Sequence, residues 1–295
     1  MHILDERNLK LIIPADEGAM VHNKKTGDLV LVVVQDFCKD PQICESVNKM
    51  ITKDCMLKRD IQKEDLGKLV LSGYSAGSRN GGTWDWACNV KGPKHELNVC
   101  LAFALSFSKM CTLLPVEVLG NYVEWLTAIG FPRMDHRRAM GSGAEGDSWG
   151  RGEYYIKRGD DTITFRDVTL APPAGVMASN YARHLHKYGY SWTTGWMAEV
   201  SGHFYIALYG IKIVQAANTF IAWQPCQLHG TSLLGLGPGG LGRSRSGRPP
   251  FFQQGLSFVS STRLASTWRK YKAQMITQEQ AAEEYGEGME ADVNN

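Results

Sequence analysis

Histidines in the second half of the chain have spacings that suit metal binding. His184 and His186 are two residues apart in ARHLHKYGYSW, so on an extended segment both side chains point the same way. His203 follows, and His229 comes just after the apolar run FIAWQP. A non-haem iron oxygenase site needs two histidines and one carboxylate on one face, with open positions for co-substrate and dioxygen. If His229 binds a metal, the candidate partners in this half of the chain are His184, His186 and His203.

A structural role for His229 is the alternative interpretation. A single imidazole near a strand end is more often held by hydrogen bonds than by a metal, because a metal site needs several ligands. No Asp or Glu lies close to His184 and His186 in sequence, so a carboxylate would have to come from elsewhere, such as Glu199. If the ring of His229 is bonded to backbone and no second histidine is near, the residue is structural.

Two further motifs have ordinary explanations. GSGAEG (141–146) has the letters of a dinucleotide-binding fingerprint, but it lacks the strand before it and the helix after it, so we interpret it as a loop. A short basic cluster precedes it and fits either a solvated loop or a phosphate-contacting patch. The cluster consists of Arg133, His136, Arg137 and Arg138.

Composition predicts a globular protein. The 295 residues are 43% hydrophobic and 21% charged, and the net charge of +2 is too small to indicate a partner. The seven cysteines form no CxxC pair, which favours reduced, buried thiols in a nuclear or cytoplasmic protein. The N-terminus does not resemble a secretory signal. The apolar stretch 97–114 contains Asn98 and Lys109, so we expect a buried helix there and no membrane span.

The elements that position the histidines predict an α+β fold. A buried strand is expected at 29–34, an amphipathic helix after Asp40–Pro41, and helical structure over 95–129 with a break at Pro115. After Gly152 short alternating runs are typical of a β-sandwich or barrel. We therefore expect two facing antiparallel sheets over 153–262, with the 95–129 helices outside one of them. Within one domain overall, the parts expected are a helix and strand part at 1–152, a β core at 153–265 and a helical, acidic tail at 266–295.

Long runs of the chain carry a resemblance to a known family. They resemble the Tet-like 2-oxoglutarate and Fe(II) oxygenase domain found in many fungal proteins, a relative of the TET/JBP dioxygenases. The runs keep the family's order and cover most of the chain. They are NYARHLHKYGYSWTT, GHFYIALYGIKIVQAANTFIAWQPCQLHGTSL and QQGLSFVSSTRLASTWRKY, with LKLIIPADEGAMVHNKKTGDLVLVVVQDFCKDP, LVLSGYSAGSRN and VTLAPPAGVMASNYAR upstream.

The resemblance implies a double-stranded β-helix, or jelly-roll, core with flanking helices and with Fe(II) at its mouth. His229 falls where such domains have their second metal-binding histidine, and His184 stands for the first. A basic residue that binds 2-oxoglutarate is expected near the last core strand, so Arg248 and Arg263 are the candidates. The resemblance assigns no further catalytic residue, and it makes DNA a candidate partner.

One departure from the family leaves three functions open. The family's first histidine is followed two residues on by an acidic residue, whereas here the segment is shortened and His184 is followed by Leu185 and His186. The resemblance implies a dioxygenase that oxidises a methylated base, such as 5-methylcytosine, flipped out of nucleic acid. The missing acid favours an inactive descendant that binds or scaffolds, and a hydroxylase of another substrate is the third hypothesis. Three tryptophans fit either base stacking or core packing, namely Trp192, Trp196 and Trp223.

Overall fold

The computed structural model describes ten stretches of the chain, and every structural statement below concerns them. They are residues 5–56, 67–76, 85–87, 93–134, 151–169, 171–179, 189–198, 202–232, 251–258 and 262–274. The predicted loop at 141–146 and the basic residues His136, Arg137 and Arg138 lie outside them.

Helices and strands alternate in the first half, and strands dominate the second. The helices are α1 Pro41–Met56, α2 Pro93–Leu113, α3 Val116–Ile129 and α4 Thr262–Lys272. The strands are β1 Leu11–Ile13, β2 Ala19–His22, β3 Leu29–Val34, β4 Lys68–Ser75, β5 Asp85–Trp86, β6 Arg151–Arg158, β7 Asp161–Thr169, β8 Ala174–Ser179, β9 Gly189–Ala198, β10 Phe204–Ile206, β11 Ile211–Ile213, β12 Thr219–Trp223, β13 His229–Thr231 and β14 Phe251–Phe258.

An eight-stranded antiparallel sheet forms the centre of the molecule. Its strand order is β2-β3-β12-β9-β14-β8-β4-β5. The predicted strand at 29–34 is confirmed as β3, whose four central residues are buried. Its side chains are buried on both faces, and its backbone pairs with β2 at one edge and with β12 at the other. The first half of the chain therefore contributes strands to the same sheet as the second half.

A four-stranded sheet, in the order β1-β11-β10-β13, packs on one face of the eight-stranded sheet. We call the two the small sheet and the large sheet. It is antiparallel except for the parallel pair of β1 and β11. Apolar side chains from both sheets form a single buried cluster between them. Its members include Ile13, Val30, Leu31, Val33, Phe204, Ile206, Ile211, Ile213, Ile221 and Trp223. We call this side of the large sheet the inner face.

Helices cover the other face of the large sheet. Asp40 accepts hydrogen bonds through Oδ1 from the backbone N–H groups of Gln42 and Ile43, at 3.0 and 3.3 Å, and so caps α1. The predicted amphipathic face of α1 is confirmed, because Ile43, Val47, Ile51 and Cys55 are all buried. The break predicted at Pro115 is confirmed as the boundary between α2 and α3. Within the described part of the chain, no helix is long and apolar enough to cross a membrane.

The predicted limits of the facing sheets were wrong at their N-terminal end. Strands β6 and β7 form a separate hairpin, which packs against α1 and α2 and belongs to neither the large nor the small sheet. The run GHFYIALYGIKIVQ also divides into β10 and β11, because a 3-10 turn, Ala207–Tyr209, separates them. The periodicity of each strand was readable, whereas its sheet depended on partners distant in sequence.

The cysteines that the structure describes are unbridged thiols, in line with the prediction. Cys38, Cys55 and Cys100 are buried, and burial raises the pKa of the Cys55 thiol to about 12. Cys111 and Cys226 are exposed, so the prediction of burial was wrong for these two.

Candidate functional site

His229 is the first residue of β13 and lies opposite Ile206 of β10. Its Nδ1 is 2.7 Å from the carbonyl oxygen of Gln227. A carbonyl only accepts hydrogen bonds, so Nδ1 carries the proton and Nε2 carries the lone pair. Within the described residues, Nε2 has no hydrogen-bond partner. This is the tautomer that a metal-binding histidine adopts when a carbonyl orients it, and the same bond also suits a structural histidine.

Two aromatic rings hold the imidazole at the inner face. The Trp223 ring centroid lies 5.3 Å from that of His229, at an interplanar angle of 62°, and the Phe204 ring lies at 5.9 Å. Trp223 in turn stacks over the bare backbone of Gly189, the residue paired with it on β9. The position of the imidazole therefore depends on the contact between Trp223 and Gly189.

We expect Gly189→Ala to disturb the His229 environment. A Cβ at this position would lie 2.1 to 2.5 Å from Trp223 ring atoms, so the indole must move. Overpacking of this kind costs about 1–3 kcal/mol of unfolding free energy. Chemical denaturation and near-ultraviolet circular dichroism would measure the change. Gly230→Ala is the matched control, because an added Cβ there meets nothing within 4 Å. Equal effects of the two substitutions would contradict the expectation.

Beside this aromatic end, the inner face becomes polar. Ser191 and Ser257 pair across β9 and β14, and the Ser257 hydroxyl donates to that of Ser191 at 3.0 Å. Thr193 lies two residues along β9 and accepts a hydrogen bond from the Nε2 amide of buried Gln215. Since Ile221 pairs with Ser191 and belongs to the inter-sheet cluster, these hydroxyls face the same side as His229. We call Ser191, Thr193 and Ser257 the hydroxyl wall. Thr193 and Ser257 are buried and Ser191 is half-buried, so Ser191 is the member that a ligand could reach.

The structure does not bring His203 together with His229. His203 lies opposite Ser232, three positions from the pair of Ile206 and His229, which is about 10 Å along the strands. Its Nδ1 accepts a hydrogen bond from the backbone N–H of Gln215 at 3.2 Å. Burial, helped by nearby Lys212, lowers the pKa of His203. His203 therefore connects β10 to the segment after β11 and is no partner for His229.

Of the other predicted ligands, only Arg263 lies among the described residues. His184, His186, Glu199 and Arg248 lie outside the described residues, so their roles stay predictions. Arg263 lies on α4, and its Nη2 donates to the carbonyl oxygen of Ala76 at 3.1 Å. Ala76 follows β4, which is two strands away from β14 in the sheet. Among the described residues, no group of three or more His, Cys, Asp or Glu is placed to hold a metal.

Two of the three tryptophans are core residues. Trp192 is fully buried on the helix-covered side, where its Nε1 donates to Oδ1 of Asn218 at 3.2 Å. Trp223 is buried between the sheets. Trp196 is half-buried, and its ring centroid lies 6.2 Å from that of His203. Base stacking by Trp192 or Trp223 is therefore ruled out by their burial.

Sequence reasoning missed one feature of the site and one of the core. The hydroxyl wall could have been found from the alternation in GYSWTTGW, which places Ser191 and Thr193 on one side of the strand. Asn218 gave a weaker signal, as an Asn in a turn between strands, where Asn tolerates left-handed backbone. Its φ is 60°, and its side chain bonds to Cys38 and Trp192.

Comparison with known proteins supports the fold. No protein-family model and no curated protein sequence matches the chain. Among solved structures, the chain is similar to the Naegleria TET1 protein in complex with 5mC DNA, with a TM-score of 0.50 and 11% identity. The match covers 88% of this chain and 84% of that chain. At this identity the likeness shows a TET-like fold, a mixed α/β arrangement with antiparallel sheets.

Proposed function

We propose that this protein is a 2-oxoglutarate- and Fe(II)-dependent dioxygenase that oxidises a methylated base, of the 5-methylcytosine type, in DNA. The observation that carries the proposal is the position of His229 between the two sheets of a TET-like fold. Its Nε2 makes no hydrogen bond to a described residue. The structural neighbour was solved in complex with 5mC DNA, which supports the choice of substrate.

The path of the chain supports a double-stranded β-helix as the core of the proposed enzyme. From β9 in the large sheet, the chain crosses to β10 and β11 in the small sheet and returns to β12. It crosses again to β13 and returns to β14. Two facing sheets built by such repeated crossing are the architecture of jelly-roll proteins. In this arrangement His229 lies where the chain enters the four-stranded sheet for the second time after β9.

His229 fits the proposed iron through Nε2, because its other nitrogen is already bonded to the Gln227 carbonyl. We propose His184 and His186, which lie between β8 and β9 in sequence, as its partners. When bound, Fe(II) with 2-oxoglutarate and dioxygen would supply hydroxylation of a C–H bond. The protein's own contribution is to fix the imidazole between Trp223 and Phe204 and to offer the Ser191 hydroxyl, the half-buried member of the hydroxyl wall, as a hydrogen-bonding group for a ligand.

A non-catalytic DNA-binding module of the same fold is the second candidate. Two observations favour it. The acidic residue expected after the first histidine is replaced in this chain by His186. In addition, Arg263, a candidate for holding the 2-oxoglutarate carboxylate, has its guanidinium bonded to the Ala76 carbonyl. Activity and iron affinity separate the two candidates.

The test is an anaerobic Fe(II) titration of the wild type and His186→Asp. Neutral imidazoles without a carboxylate leave the full +2 charge of the metal uncompensated, so we expect weak binding and slow succinate release by the wild type. His186→Asp places a carboxylate two residues after His184 and should tighten Fe(II) binding about tenfold or more. His22→Asp, at an exposed position on β2, adds the same charge elsewhere and should not tighten it.

Each outcome distinguishes the candidates. Oxidation of a 5mC duplex that accompanies succinate release supports the dioxygenase. DNA binding without iron binding or succinate release in either protein supports the non-catalytic module. Tight iron binding by the unmodified chain would show that a carboxylate outside this pair completes the site, and no gain from His186→Asp would show that His184 is not the first ligand.

A further inference from the structure

We propose that three exposed lysines at the His229 end of the two sheets form a contact surface for the phosphates of duplex DNA. They are Lys10, Lys24 and Lys25, and we call them the lysine rim. The inference rests on the proposed function, since it places the DNA that the candidate site would act on. It goes beyond that function by naming the surface that holds the duplex.

Lys10 is fixed next to the 3-10 turn that follows β10. Its backbone N–H donates to the carbonyl oxygen of Gly210 at 2.8 Å, and Leu11 donates to the same oxygen at 3.3 Å. Gly210 has a φ of 63° and approaches Lys10 closely. The Lys10 side chain is exposed, so its ammonium is presented to solvent at this edge of the small sheet.

Lys24 and Lys25 occupy the turn between β2 and β3, which meets the same 3-10 turn. The Asn23 amide donates to the hydroxyl of Tyr209 at 3.3 Å, and the backbone N–H of Lys25 donates to Asn23 Oδ1 at 2.9 Å. The turn is closed by a bond of 2.8 Å from the Asn23 N–H to the Asp28 carbonyl. Both lysine side chains are exposed. The segment that carries Lys10 and the turn that carries Lys24 and Lys25 thus both adjoin the same 3-10 turn.

The same 3-10 turn adjoins His229. The backbone N–H of Ala207 donates to the carbonyl oxygen of Leu228 at 2.8 Å, and Leu228 immediately precedes His229. Two large apolar side chains are exposed here. Leu208, which follows Ala207, is 63% exposed, and Leu228 is 61% exposed. Exposed apolar side chains that lie together mark interaction surfaces more often than isolated ones do. The lysine rim therefore borders the candidate site.

Charge makes this end basic. The acids close to Lys10 are already paired, because Asp5 bonds Arg7 at 2.8 Å and Glu6 bonds Lys212 at 2.8 Å. Asp28 is the acidic residue of the lysine-bearing turn. Asp16 and Glu17 lie in the turn between β1 and β2, at the opposite end of these strands. Lysines clustered on one edge attract a polyanion even when the net charge of the chain is only +2. Duplex DNA is the polyanion on which the proposed enzyme would act.

The experiment measures binding of the full chain to a fluorescent duplex with one 5mC, across a salt series. We expect the triple variant Lys10→Gln, Lys24→Gln, Lys25→Gln to bind at least about tenfold more weakly near 0.1 M salt, with a shallower salt dependence, because each lost phosphate contact removes about 0.9 from the slope. An unmethylated duplex should lose affinity equally, since phosphate contacts carry no sequence information. The control changes Lys39, Lys53 and Lys157 to Gln, which alters net charge equally on the α1 and β6 side.

Failure of the rim and failure of the function are distinguishable. If the wild type binds the duplex and the rim variant binds equally well, the rim is wrong while the proposed function stands. An equal loss of duplex affinity in the rim and control variants would also contradict the proposal, because it would show a general charge effect. If the wild type binds neither duplex, DNA is wrong as the substrate and the rim falls with it. Tighter rim-dependent binding of a matched RNA would overturn the assignment to DNA.

Discussion

His229→Ala is expected to weaken Fe(II) binding by about a hundredfold or more and to abolish succinate release. The substitution removes the Nε2 lone pair, and a methyl group cannot replace it as a ligand. Removing an outer residue that merely orients a ligand already costs about 10- to 100-fold in metal affinity, so loss of the ligand itself should cost at least as much. Anaerobic calorimetry with Fe(II) measures the affinity, and succinate release measures turnover.

His203→Ala is the matched control for this prediction. His203 is also a half-buried histidine of the small sheet, and it accepts a backbone hydrogen bond from Gln215. We expect it to lower the free energy of unfolding by about 1 kcal/mol, the usual effect of a lost hydrogen bond, and to leave iron affinity unchanged. If His229→Ala behaves like His203→Ala, with reduced stability and wild-type iron binding, His229 is structural.

Asn218→Ala is expected to lower the free energy of unfolding by about 3 kcal/mol. The Asn218 side chain accepts hydrogen bonds from the Cys38 N–H at 2.9 Å and from Trp192 Nε1 at 3.2 Å, and it donates to the Cys38 carbonyl at 2.8 Å. Each bond contributes about 1 kcal/mol, and its loss leaves buried polar groups unpaired. These bonds join the start of β12 to the segment between β3 and α1 and also hold buried Trp192.

Two controls separate the contributions at Asn218. Its φ of 60° is left-handed, a conformation that costs a residue with a Cβ about 1–2 kcal/mol. Asn218→Gly removes the hydrogen bonds without this strain, so it should be less destabilising than Asn218→Ala. Asn121→Ala, at an exposed position on α3, should change stability by no more than about 0.5 kcal/mol. Chemical denaturation measures all three, and an Asn218→Ala protein as stable as the wild type would refute the hydrogen-bonded junction.

The existence and type of the main elements could be predicted from local sequence. The unbroken β-branched run of β3, the spacing of Ile43, Val47 and Ile51 on α1 and the stop at Pro115 each depend on residues within one segment. Side-chain periodicity and proline geometry act over a few residues, so they are visible without a partner. The placement of His229 just after a strand was also readable, although its candidacy as a ligand came from the resemblance.

Only the tertiary structure decided which elements meet. β3 pairs with β12, nearly two hundred residues later in the chain. The β6 and β7 hairpin belongs to neither the large nor the small sheet. The pairing of β10 with β13 keeps His203 about 10 Å from His229 along the strands. The hydrogen bond from Asn23 to Tyr209 places the turn that carries Lys24 beside the 3-10 turn. Strand register is set by which buried faces complement each other, and a local sequence contains only one of the two faces. Residue types therefore determined what chemistry was available, whereas long-range strand pairing determined which side chains share a site.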